Sequence, residues 1–187
     1  MTNYKIEGDI RLLSHPESFQ IEEEEKDKLL AQQHRIFVNV PESNSIEVVD
    51  SQKHTVPTTW PISNAQNNFP MALDEANHRL FVGTRDPSKP VVFDTDSGKV
   101  ISILDIAKDP DDIFYDAVKK RIYISCGEGF INVFQQYKDA NHYDIIGNIP
   151  TAPGARTSLL VPELNRFYLA VPHLGNQQSE ILIYQLG

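Results

Sequence analysis

Four versions of one short apolar strand recur along the chain and predict an all-β fold of propeller blades. They are Arg35-Ile-Phe-Val, Arg79-Leu-Phe-Val, Arg121-Ile-Tyr-Ile and Arg166-Phe-Tyr-Leu. A repeat of roughly 40–50 residues carrying several short strands is what a four-stranded antiparallel blade requires. A second observation fixes the register: Asp50 and Asp94 each follow their repeat arginine by the same interval. The 187 residues accommodate about four such blades. The expectation is one partial propeller domain over residues 1–187, with repeats starting near 35, 79, 121 and 166.

Each repeat reads outward from that arginine strand. Ahead of it lies an innermost strand: Phe69–Asp74, Asp112–Asp116 and Thr157–Val161. Polar tips join the two, Glu75–His78, Ala117–Lys120 and Pro162–Asn165, as a tight antiparallel hairpin needs. The third strand follows as Ile46–Asp50, Val91–Asp94, Ile131–Phe134 and Ile181–Tyr184. The outer strand reads Thr58–Ile62, Val100–Leu104 and Tyr143–Gly147, rich in β-branched and aromatic residues. Pro61 and Pro150 fall at outer-strand edges, where a missing N–H costs least. Asp94-Thr-Asp-Ser-Gly98 is a turn, with glycine free to take positive φ. At the N-terminus Ile10–Leu13 reads as an outer strand and Ser18–Ile21 as an innermost one. Glu22–His34 reads as a solvated acidic hairpin connection. The inventory is one orphan outer strand, three complete blades and a last blade stopping at its third strand.

Composition excludes some functions. The net charge is −9, and the longest basic run is Lys119-Lys120-Arg121, which argues against phosphate-driven nucleic-acid binding. No apolar run approaches the ~20 residues of a membrane-spanning helix. The first residues lack the apolar core of a signal peptide, so the chain as written reads as cytoplasmic. Cys126, the only cysteine, permits no intrachain disulfide and reads as a small buried thiol. Histidine spacing matches no metal motif, and His34 and His78 fall at hairpin tips as part of the repeat. Gly127-Glu-Gly129 reads as a tight turn, and Trp60 as packing between blades.

In a propeller, residues entering the innermost strands face the channel mouth. Repeat alignment places Glu17, Asp111, Asp112 and Arg156 there, with Asn68 and His15 beside them. Two readings stand side by side. Carboxylates and an amide suit a hard cation such as Ca²⁺, and Arg156 suits a carboxylate or phosphate. Alternatively Arg156 pairs with Asp111, Asp112 or Glu17 and satisfies the channel's own polar groups.

The stretches His15–Gln20, Arg35–Pro41, Asn68–Glu75, Gly127–Gln136 and Pro153–Ser158 resemble the bacterial YncE-like, YVTN-repeat propeller proteins over nearly the whole chain. That resemblance implies a propeller of usually seven blades, of which this chain supplies about four. It also implies a periplasmic location behind a secretion signal. The leading expectation is a non-enzymatic scaffold that binds a small molecule or protein partner at the channel mouth. The alternative is a lactonase-type hydrolase with a channel-bound divalent metal, a kind found in the wider group. Nucleic-acid binding, linked to some relatives, fits the charge poorly. Three answers to the exposed blade faces stand open: four blades closing on themselves, a homodimer completing the ring, or a truncated piece that needs its missing blades, the last two ranking above the first.

Overall fold

The computed structural model describes residues 4–22, 35–63 and 65–187. Four antiparallel sheets follow one another along the chain. The first holds β1 (Phe19–Ile21), β2 (Arg35–Val40), β3 (Ser45–Asp50) and β4 (Thr55–Pro61). The second holds β5 (Gln66–Asp74), β6 (Arg79–Asp86), β7 (Ser88–Asp94) and β8 (Val100–Ile103). The third holds β9 (Pro110–Asp116), β10 (Arg121–Cys126), β11 (Phe130–Gln136) and β12 (Tyr143–Pro150). The fourth holds β13 (Thr157–Val161), β14 (Arg166–Val171) and β15 (Glu180–Gln185). Strand order within each sheet is sequential, the meander of a propeller blade.

The tips before the repeat arginines are built to reverse the chain. Residues Glu75–Asn77 and Pro162–Leu164 form single 3₁₀ turns, closed by His78 and Asn165 in the left-handed region. Lys120 takes the same conformation, with φ 54°. His78 is therefore architectural, as its position in the repeat implied. His34 lies outside the described residues, as does most of the acidic run. Glu22, which opens that run, departs from the solvated reading: it is buried and accepts two bonds from Arg35, at 2.7 and 2.8 Å.

Strand alternation sends successive side chains to opposite faces, so each sheet shares a core with each neighbour. Phe37, Ile46, Val48 and Trp60 of the first sheet meet Leu80, Val82, Val91 and Phe93 of the second. Trp60 lies 5.3 Å from Phe37 and 6.0 Å from Phe93, ring to ring, the inter-blade packing its position suggested. Phe81 and Val92 turn the other way, onto Ile122, Ile124 and Phe134. Tyr123, Ile131 and Val133 pack on Phe167, Leu169 and Leu182.

Two polar ties repeat at these interfaces. The repeat arginine reaches forward: Arg79 Nε donates to Asn141 Oδ1 at 3.0 Å, and Arg121 Nη1 to the Gly187 carbonyl at 2.6 Å. Arg35 Nη1 likewise donates to the Thr95 carbonyl. Four residues further on, Asn39 Nδ2 donates to the Phe69 carbonyl at 3.0 Å and Ser125 Oγ to the Arg156 carbonyl at 2.5 Å. Gly83 holds this position in the second sheet, where a Cβ would meet Pro70 Cγ at 2.6 Å. There Arg85 Nε makes the tie instead, to the Pro110 carbonyl at 3.1 Å.

One element departs from the sequence expectation. Ile10–Leu13 is not a strand. Ile10 and Leu12 pack against Val38, Val40 and Val49 of the first sheet, and Leu13 N–H donates to the buried Glu47 at 2.7 Å. Apolar alternation made this segment resemble a strand, but its side chains line the face of a sheet rather than extend its edge.

Candidate functional site

The inner strands of all four sheets border one groove of about 530 Å³. Its walls include Glu17, Gln20, Phe69, Asp111, Asp112, Tyr115 and Leu160. Left-handed residues mark the approach to three of the inner strands: Asn67 (φ 58°) at the start of β5, Asp109 (φ 62°) directly before β9 and Gly154 (φ 78°) before β13. Asn, Asp and Gly tolerate that conformation best.

At the mouth two arginines and two aspartates interlock. Arg85 pairs with Asp111, and its Nε lies 3.2 Å from Asp109 Oδ1. Arg156 pairs with Asp109, and its Nε lies 3.7 Å from Asp111 Oδ2. The Arg85 guanidinium also sits 4.2 Å from the Phe69 ring centroid, a cation–π contact. Two positive and two negative charges thus cancel within the cluster.

Asp112 stands apart from it. Its carboxylate accepts the Ser158 backbone N–H at 2.5 Å. Burial raises its pKa above the ordinary aspartate value, the Ser158 bond pulls it back, and the Asp111 charge raises it further. Glu17 lines the groove from the first sheet's side, just ahead of β1 and half-exposed, with His15 Nε2 3.8 Å away.

The residues expected at the mouth are therefore placed in three settings. Glu17, Asp111 and Asp112 line the groove, and Arg156 is tied to Asp111 at its rim. His15 is mostly exposed beside Glu17. Asn68 is fully buried away from the mouth: its amide donates to Asn39 Oδ1 at 2.8 Å and to the Ser45 carbonyl at 3.0 Å, joining two sheets. A β-bulge between Asn68 and Met71 turns it inward. Arg85 and Asp109 were not anticipated. The available signal was Arg85's break with the repeat, since Pro41, Gly127 and Pro172 hold the same place after the other arginines.

The donor set does not suit a divalent cation. Among the described residues no group of three His, Cys, Asp or Glu side chains is placed to hold a metal ion, and Asp109 and Asp111 are already committed to guanidinium groups. Cys126 is buried at the core, with its thiol pushed up to about 12 by burial and then by the Asp109 and Glu128 charges. That thiol is packing, since the thiolate is the nucleophilic form.

Among the described residues no helix is long and apolar enough to cross a membrane. No protein-family model matches the chain, and no curated protein does. In structure it is similar to Kuenenia stuttgartiensis hydrazine synthase, with a TM-score of 0.71 at 15% identity. The match covers 81% of this chain and 42% of that one, so the chain spans less than half the length of that structure. The likeness is one of fold: an all-β, propeller-like scaffold.

Proposed function

We propose that the chain is a propeller binding module, of the YncE-like, YVTN-repeat kind, whose groove takes a small ligand bearing a cationic nitrogen. The observation that supports this is the uneven charge of the groove wall. Glu17, Asp111 and Asp112 line it, and the arginine cluster neutralises Asp111 alone among them. The Glu17 and Asp112 carboxylates, which line the groove from different sheets, then offer charge-assisted acceptors for an ammonium or guanidinium group. Phe69, Tyr115 and Leu160 supply the apolar lining that small-molecule sites combine with few polar groups. No catalytic role is assigned to these residues, and among the described residues no group of three His, Cys, Asp or Glu side chains is placed to hold the metal of the hydrolase alternative.

Calorimetric titration with spermidine and with arginine, against citrate as the anionic control, tests the proposal. The cations are expected to bind, with affinity falling as salt rises. Glu17→Gln and Asp112→Asn should each weaken binding about tenfold, the loss of one charged hydrogen bond of roughly 1.5 kcal/mol. Citrate binding in preference to the cations, or cation binding indifferent to both substitutions, would overturn it.

A further inference from the structure

The Gly127-Glu-Gly129 turn does more than reverse the chain between β10 and β11. Gly129, at φ 104°, closes it by donating its N–H to the Cys126 carbonyl at 3.0 Å. The same turn ties down both links that carry the arginine cluster. Gly127 N–H donates to the Asp109 carbonyl at 2.8 Å, and the Gly127 carbonyl accepts the Gly154 N–H at 2.7 Å. The Glu128 N–H donates to the Lys108 carbonyl at 3.1 Å, and the Glu128 carboxylate accepts the Lys108 N–H at 2.7 Å. Asp109 directly precedes β9 and Arg156 directly precedes β13, so one turn of the third sheet sets where both side chains begin.

Gly127 leaves room for the pair they form. A Cβ there would overlap Asp109 Oδ2 and lie 3.0 Å from Asp109 Cγ and 3.3 Å from Arg156 Cδ. All three are side-chain atoms, so a methyl group would push the Asp109 carboxylate aside and leave the backbone of the turn in place.

Arg156 has another carboxylate within its range. It stands two residues before Ser158, whose N–H and Oγ lie 2.5 and 3.4 Å from Asp112 Oδ2. Side chains two apart along an extended chain share a face. Arg156 Nε already comes within 3.7 Å of Asp111, the neighbour of Asp112. Yet among the described residues no ion pair joins Arg156 to Asp112, because Asp109 takes its Nη1 at the rim.

We infer that Asp109, seated by Gly127, is a positioning residue that keeps Arg156 off Asp112 and so makes the groove select cations over anions. The inference rests on the cationic-ligand reading of the groove. With Asp109 gone, Arg156 turns to Asp112, cancels that carboxylate and leaves Glu17 as the one acceptor without a cation.

Two substitutions separate positioning from the plain loss of a charge. Asp109→Asn removes the carboxylate and suits the left-handed backbone at φ 62°. Gly127→Ala removes no charge and displaces the same carboxylate. Asp111 and Glu17, the other carboxylates of the groove, are unchanged in both. Each variant should weaken spermidine binding about tenfold, the loss of one charged hydrogen bond. Arg156→Gln added to either should restore it.

A second measurement needs no ligand: the titration of the Asp112 carboxyl followed by carbon NMR, its signal assigned from Asp112→Asn. A guanidinium beside Asp112 favours the carboxylate, so the midpoint should fall in Asp109→Asn and in Gly127→Ala, and Arg156→Gln should reverse the fall. A midpoint unmoved in Gly127→Ala, or a fall there that survives Arg156→Gln, would overturn the inference. So would a fall that leaves spermidine binding intact. If spermidine fails to bind the unmodified protein, the reading of the groove is lost, while the Asp112 titration still decides whether Asp109 places Arg156.

Discussion

Arg79 and Asn141 meet across two sheets: the guanidinium of the second donates to a side chain in the third, while the same arginine pairs with Asp94 at 2.8 Å. Arg79 is 13% exposed at its side chain. Replacing it with alanine removes the tie and leaves the Asp94 carboxylate without its cation. The expected loss is about 2 kcal/mol, read as a lower midpoint in urea with an unchanged slope. A midpoint shift near zero would mean that the apolar core alone joins the sheets.

Asn39 should be at least as costly to lose. It is fully buried and serves the Phe69 carbonyl, the Pro70 carbonyl, the Ser18 hydroxyl and Asn68 at once. Asn39→Ala strands several of these partners away from water and is expected to cost about 2–3 kcal/mol. Ser125→Ala, the counterpart in the third sheet, breaks fewer bonds and should cost about 1 kcal/mol. Equilibrium unfolding of both variants checks the ranking.

Asp112 makes stability depend on pH in an unusual direction. Its folded-state pKa is raised, mainly by burial, so the folded protein holds this proton more tightly than the unfolded chain does. The group favours folding below the ordinary aspartate range, and that contribution is lost as pH rises through the higher folded value. Asp112→Asn should therefore raise the melting temperature at neutral pH and leave it unchanged in acid. Melting curves at several pH values measure the difference, and a variant less stable at neutral pH would contradict the assignment.

Cys126 should resist thiol reagents in the native protein. Its Sγ is buried and its titration is displaced to about 12. Labelling with a disulfide reagent in mildly alkaline buffer is expected to track unfolding, rising sharply in denaturant. Rapid labelling of the native chain would place the thiol in an accessible environment instead.

The repeat was legible because side-chain alternation and cross-strand pairing both leave marks in sequence. The constant interval from Arg35 to Asp50 and from Arg79 to Asp94 turned out to be strand pairing, each arginine lying directly opposite its aspartate. Seven of the eight apolar residues at the equivalent second-strand positions are buried, six between sheets and Val38 beneath Ile10 and Leu12, while Tyr168 is half-exposed. Bulges and reversals were harder to see. The shift at Asn68 sends an amide inward that simple counting sends to the mouth. Ile10 and Leu12 alternate like a strand, yet they make side-chain contact with a face, and alternation does not distinguish the two uses. Arg85 was hidden in a strand end beside Asp86, where a charged residue looks like ordinary solvated surface.

The groove crosses more boundaries than the apolar cores do. Among the described residues those cores join each sheet to its neighbours, so a disturbance in the first sheet reaches the fourth through two intermediaries. The groove wall takes residues from β1, β5, β9 and the fourth sheet together. A molecule seated there would touch all of them, as a hub touches its spokes. Its grip would bind sheets that share no core of their own, so that four elements able to loosen in turn would give way as one.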